Sequence, residues 1–253
     1  MNRNSLRILA ILLAVLTLSA SLFGCSRGKA PGGEADTNTA EATVEPAGST
    51  SEAETIDYLV LVNKQNALPD NWESIVQLEE ATNRWGETYQ VEKTALAAFF
   101  DLQKDLLDND GIVIELDSTY RSVKRQKEIW SEFEAEKGID YAREYVAVPG
   151  YSEHHTGLAI DICIEKDGVR IDDNDDMIAE REIFAQIHKK LASHGFILRY
   201  LEGMDAITGY AYEPWHFRYV GVKAAEEIMN AGITLEEYLG KAPATESESA
   251  SAA

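Results

Sequence analysis

The run Ser152-Glu153-His154-His155-Thr156-Gly157-Leu158-Ala159-Ile160-Asp161 constrains this chain more than any other stretch. It holds two imidazoles and a carboxylate, and a second cluster, Glu213-Pro214-Trp215-His216, lies about fifty residues downstream. Together the two clusters offer what a catalytic zinc site needs: three N/O ligands, an open fourth position for water, and a further carboxylate to act as base. The candidate ligands are His154, Asp161 and His216, and Glu213 is the candidate base. Residues three apart on an extended chain face opposite sides, so Glu213 and His216 reach one point only if the chain kinks at Pro214. His154 and His155 are neighbours, and neighbours on an extended chain point apart. One of them binds, read here as His154, and His155 is left at the surface or behind the ligands.

Leu158 to Ile164 alternates with period two. This predicts a strand with Leu158, Ile160, Ile162 and Ile164 in the core and Gly157, Ala159, Asp161 and Cys163 on the other face. That other face is small apart from Asp161, which leaves room for a metal and a substrate. Around it the pattern predicts a strand or extended segment at 58–63, a helix capped by Thr94 and running to about Leu107, and a strand at 112–120 with Arg121 at its end. A helix from about Ser122 carries Gln126 and stops near Gly138, and a further helical piece covers 140–146. Another helix spans about Met177 to Ser193. It is followed by a strand at 196–200, an extended stretch at 213–220 and a last helix around Ala224, Ile228 and Met229. His188 and His194 fall on or just after a helix, where histidines are structural as a rule. The acidic run 172–176 lacks the Gly and distal Glu of an EF-hand loop and reads as a solvated loop and helix start.

The ends are of a different character. Arg3 and Arg7 precede a short apolar run and then small residues up to Cys25, the form of a secretory signal peptide too short to favour a membrane span. Leu22-Phe23-Gly24-Cys25 resembles a bacterial lipobox, whose cysteine is lipidated and becomes the first residue. Cys25 is then unavailable for a bridge and leaves Cys163, the other of two cysteines, a lone buried thiol. The expected organisation is a lipoprotein signal peptide at 1–24, a disordered tether at 25–56, one folded domain at 57–241 and a disordered tail at 242–253. Tether and tail are too poor in large apolar residues to offset their ordering entropy. With a formal net charge of -21 the chain is no nucleic-acid binder, because a phosphate backbone would be repelled.

Ser152-x-His154-x-x-Gly157-x-Ala159-x-Asp161 with Glu213-Pro214-Trp215-His216 resembles the VanY-type D-alanyl-D-alanine carboxypeptidases, whose wider group includes lysostaphin-like endopeptidases and the hedgehog domain. The resemblance extends to Ser118-Thr119-Tyr120-Arg121-Ser122, to Gly195-Phe196-x-Leu198-Arg199-Tyr200 and to Thr208-Gly209-Tyr210. It implies an α+β fold, a small antiparallel or mixed sheet flanked by helices with the site in an open groove. It also implies zinc on His154, Asp161 and His216, and Glu213 as base. By the same resemblance Arg121 binds substrate and stabilises the oxyanion, and Ser152 and Gln126 contact the peptide end. Thr119, where relatives often carry Gly, is expected not to touch the metal motif.

The activity implied is a zinc-dependent D,D-carboxypeptidase, expected as a monomer held to the membrane through Cys25, that trims terminal D-alanine from peptidoglycan stem peptides. The alternatives are an L,D-carboxypeptidase on tetrapeptide stems, a cell-wall endopeptidase, and a non-catalytic zinc or cell-wall binding module. Glu213 argues against the last, since a structural site needs no base.

Overall fold

The computed structural model describes residues 55–243. Cys25, the signal segment, most of the tether and all but the start of the tail lie outside them. Among the described residues no helix is long and apolar enough to cross a membrane.

In chain order the elements are α1 (Trp72–Ile75), β1 (Leu78–Thr82), β2 (Thr88–Glu92), α2 (Lys93–Asp110), β3 (Val113–Ser118), α3 (Val123–Lys137) and α4 (Ile139–Tyr145). Then come β4 (Ala159–Lys166), β5 (Val169–Ile171), α5 (Asn174–Ala179), α6 (Arg181–Leu191), β6 (Phe196–Leu198), α7 (Asp205–Thr208), β7 (His216–Tyr219), α8 (Val222–Ala231) and α9 (Leu235–Tyr238). The main sheet runs β3-β4-β7-β6, with β5 on the same edge of β4 as β7 but at its other end, and every pairing is antiparallel. β1 and β2 form a separate hairpin, which the sequence pattern did not announce.

The period-two reading of β4 holds on its core face. Leu158, Ile160, Ile162 and Ile164 are all buried, at about 1.5–3 kcal/mol each for apolar burial. They share one core with Phe99, Leu102 and Leu106 of α2, Phe184, Ile187 and Leu191 of α6, and Phe217 of β7. The other face corrects the expectation of open space. Ala159 and Cys163 are fully buried, and Gly157, at φ 71°, lies against protein. A Cβ there would stand 2.8 Å from Leu78 and 3.3 Å from the Glu92 nitrogen. Gly157 therefore admits the β1–β2 hairpin, not a ligand, and of the four residues on this face only Asp161 lines the cleft.

Three further expectations change. Residues 58–63 join no ladder. Val60, Leu61 and Val62 are buried, while the Tyr58 and Val60 carbonyls accept from the Arg218 guanidinium at 3.0 and 2.7 Å. A side chain thus supplies the bonds that a neighbouring strand would have given. The cap of α2 is Glu92, not Thr94. Its carboxylate accepts from the Thr94 and Ala95 nitrogens at 2.9 and 3.0 Å, so β2 passes into the helix without a loop. The helix expected from Met177 to Ser193 is two, broken at Glu180. The helix expected from about Ser122 is α3, and Ser122 caps it, its hydroxyl accepting from the Arg125 nitrogen at 3.1 Å; Asp173 caps α5.

Candidate metal centre

Strand register does much of the assembly. β4 and β7 pair with Asp161 directly opposite His216, so both side chains leave the same face of the sheet. The kink expected at Pro214 is present as a turn, in which the His216 nitrogen donates to the Glu213 carbonyl at 3.2 Å. It brings Glu213 Oε2 within 3.8 Å of His216 Nδ1. His154 arrives from Glu153–Thr156, which is a 3-10 turn and not extended chain. One ligand atom each from His154, Asp161 and His216 lie within 4.8 Å of one another.

Hydrogen bonds fix which nitrogen each imidazole offers. His154 Nδ1 donates to the Thr119 carbonyl at 2.8 Å, leaving Nε2 towards Asp161 Oδ2 at 3.2 Å. His216 Nε2 donates to Glu153 Oε2 at 3.1 Å, leaving Nδ1 towards Asp161 Oδ1 at 2.7 Å. Asp161 Oδ1 is buried with no hydrogen-bond donor. Two acceptors that close repel unless a positive charge lies between them, a proton or a metal ion. The donor set of two imidazoles and one carboxylate suits zinc, and its arrangement with a carboxylate behind His216 is the one that steadies a metal-bound histidine. The residues present therefore fit the ion.

Thr119 touches the metal motif after all, through its backbone carbonyl. Any residue supplies that carbonyl, which is why a side chain in place of glycine is tolerated there; its hydroxyl donates to the Gln90 carbonyl at 2.8 Å. His155 is not at the surface. It is buried, with Nδ1 donating to the Arg121 carbonyl at 2.5 Å and Nε2 accepting from the Gly150 nitrogen at 3.1 Å. Both of its nitrogens are thereby spent on the backbone, and it clamps the loop behind Arg121.

Glu153, which the sequence pattern passed over, sits at the centre of the buried charge. Its Oε1 accepts from Arg199 at 2.8 Å and Arg218 at 2.6 Å. Burial would raise its carboxyl; Arg199, Arg218 and His216 outweigh that and hold it well below the usual carboxylate range. Burial would lower the His216 imidazole, and the Asp161 and Glu153 carboxylates on either side raise it instead. Glu213 has no such support. Its side chain keeps 30 % exposure, yet burial pushes the carboxyl up to about 7, with Asp161 and Glu153 adding and His216 opposing. A cation among the ligands would draw it back down.

Arg121 lies at the rim. Burial lowers its guanidinium and the nearby Asp161 charge offsets part of this. Its terminal nitrogens donate to Gln126 Oε1 at 2.9 Å and Ser118 Oγ at 3.1 Å. Gln126, expected to contact the peptide end, is fully buried; its Oε1 holds Arg121 and its Nε2 donates to the Ala147 carbonyl at 2.7 Å. The geometry gives it the task of aiming Arg121. Ser152 is nearly buried and lines the cleft with the ligands, Glu213 and Arg121. That cleft, about 310 Å³, continues past Arg121, Glu213 and Trp215 into a groove of about 740 Å³ walled by Ile129 and Phe133 of α3 and Ile178 of α5. His188 and His194 stand apart, engaged with the Pro214 carbonyl and Asp105.

Residues 88–222 match the family model described as VanY, D-alanyl-D-alanine carboxypeptidase. A D-alanyl-D-alanine carboxypeptidase of Enterococcus faecalis is 37% identical over 190 residues, 72% of this chain and 65% of that protein, so the chain spans about two thirds of it. Among solved structures, a mutant of the vancomycin-resistance D,D-pentapeptidase VanY in complex with Zn(II) is 36% identical, covers 72% of this chain and 98% of its own, and has a TM-score of 0.58. The LD-carboxypeptidase LdcB is 37% identical, covers 74% and 87%, and has a TM-score of 0.64.

Proposed function

The chain belongs to the VanY family of D-alanyl-D-alanine carboxypeptidases, and from that premise we propose that it is a zinc-dependent D,D-carboxypeptidase that removes the terminal D-alanine from peptidoglycan stem peptides. The observation that carries the reading is the convergence of His154 Nε2, Asp161 and His216 Nδ1 beside a carboxylate, Glu213, that is not among the converging atoms. Zinc held by His154, Asp161 and His216 would polarise a carbonyl and make water acidic enough to attack at neutral pH. Glu213 takes a proton from the attacking water and returns it to the departing amine of D-alanine. Arg121, steadied by Gln126 and Ser118, keeps further N–H donors for the substrate carboxylate or the oxygen that gains charge. The penultimate residues of the stem lie along the groove beyond Trp215.

Purified muropeptides with pentapeptide and tetrapeptide stems, offered side by side and followed by mass spectrometry, test this reading. The pentapeptide is expected to lose one D-alanine and the tetrapeptide to persist, with chelator stopping the reaction. LdcB gives a specific reason to include the second substrate. Consumption of the tetrapeptide alone would replace the proposal by an L,D-carboxypeptidase. Bound zinc with no turnover of either would make the domain a binding module.

We propose also that the protein works outside the cytoplasmic membrane as a monomer, tethered through lipid on Cys25. Its substrate lies there, and the charged, apolar and small-residue order of residues 1–24 supports export. Cys25→Ser is expected to move the protein from the membrane fraction to the soluble one. An unchanged membrane fraction would overturn the anchor, and light scattering of the soluble domain checks the monomer.

A further inference from the structure

We propose that Glu236, on the last helix, is a positioning residue for the metal centre, acting on His216 through Arg199 and Glu153. The proposal rests on the reading of His154, Asp161 and His216 as zinc ligands.

The contacts run without a gap. Both Glu236 oxygens accept from Arg199, at 2.6 and 2.9 Å, and Oε1 accepts also from Asn63 at 3.0 Å. Arg199 Nε donates to Glu153 Oε1 at 2.8 Å, and Glu153 Oε2 accepts from His216 Nε2 at 3.1 Å. Arg199, Arg218 and Glu153 have side-chain exposures of 0%, and Glu236 of 1%. Two guanidinium groups thus face two carboxylates with no solvent between, and the charges cancel while His216 is neutral. Buried pairs of this kind add little net stability, but losing one member leaves an uncompensated charge.

That asymmetry tells what Glu236 does. It occupies both terminal nitrogens of Arg199 and leaves only Nε for Glu153. Without the Glu236 charge, those terminal N–H groups turn to the nearest remaining carboxylate. They then compete with His216 for Glu153 Oε2. His216 loses the acceptor that keeps its proton on Nε2 and its lone pair on Nδ1, aimed at the ligand set. Helix α9 is built to hold the carboxylate in place. Leu235 is fully buried, and Thr234 and Glu237 form a reciprocal capping box, with bonds of 3.1 and 2.8 Å.

Such coupling is reciprocal: if docking of α9 strengthens metal binding, metal strengthens docking of α9 by the same factor. Two measurements on the full chain follow. Zinc affinity, read by competition with a chromophoric chelator, is expected to fall about tenfold or more in Glu153→Gln, the range for loss of a ligand's outer partner. It falls severalfold in Glu236→Gln, and Glu236→Asp, which keeps the charge, lies between that variant and wild type. In the unmodified protein, zinc is expected to slow amide exchange at Tyr238 and Leu239, whose N–H groups bond within the last turn, more than at β5. Wild-type zinc affinity in Glu236→Gln would overturn the proposal. So would equal slowing at Tyr238, Leu239 and β5, which needs no variant and decides the matter if Glu236→Gln does not fold. Failure of the unmodified protein to bind zinc would sink the ligand assignment itself, a different result from either.

Discussion

Glu213→Gln is expected to retain zinc and to lose about 10²–10⁴-fold in turnover of a pentapeptide stem, the range for removing a positioned general base. The amide keeps the volume and the place of the carboxylate at the turn before His216, so the ligand triangle is undisturbed. What it loses is the ability to accept a proton from water and hand it to the leaving amine. The loss therefore falls on kcat, with KM nearly unchanged, because no ground-state contact to the stem peptide is removed. Zinc content is the necessary companion measurement. A variant with bound zinc and wild-type kcat would remove Glu213 from the mechanism, whatever the rest of the site does.

Asp161→Asn separates metal binding from folding. Asp161 Oδ1 faces His216 Nδ1 at 2.7 Å, and Oδ2 faces His154 Nε2 at 3.2 Å. An amide in that place can donate to His216 Nδ1 and so satisfy an approach that the carboxylate tolerates only with a proton or a metal between. The variant is expected to fold at least as stably as wild type without metal. Its zinc affinity should fall by more than the roughly 100-fold that loss of an outer partner alone can cost. Thermal melts read both quantities. Zinc at a hundred times its Kd stabilises the wild type by about 2.7 kcal/mol, and the same concentration stabilises Asp161→Asn by less than about 0.4 kcal/mol. A zinc-dependent rise equal to wild type would exclude Asp161 as a ligand.

The parts of this fold that were legible in the sequence are those in which one residue type at one spacing leaves few options. The alternation of β4 is one, because a slip by a single residue would turn four branched side chains to the wrong face. The two motifs around His154 and His216 are another. What escaped was cross-chain in character. The β1–β2 hairpin exposes Glu79, Glu80 and Gln90, and it buries only Ala81, Val91 and the helix-capping Glu92, too faint a pattern for a strand. Residues 58–63 looked like a strand or extended segment because they are apolar. Their backbone partner turned out to be Arg218, some 160 positions away, and no local rule links the two. Nothing local marks Arg199 and Arg218 as buried, since guanidinium groups are rarely buried unless paired, and their shared partner Glu153 stands between two more conspicuous residues. An acid sandwiched between a serine and two histidines was the available signal. The period-two view of 152–155 hid it, because in a 3-10 turn that stretch sends Glu153 inward to the arginines and both histidines to the loop that follows β3.

The separation between where the ligands are mounted and where the groove is walled has one more consequence. Asp161 and His216 stand on paired strands, and His154 is pinned to a backbone carbonyl, whereas the groove is bounded by α3, α5 and the segment around Ala147. Residues of the wall can be exchanged with little mechanical effect on the ion. A lineage built on this frame is free to change which stem it trims, from five residues to four or to a cross-linked branch, while its hydrolytic chemistry is inherited intact.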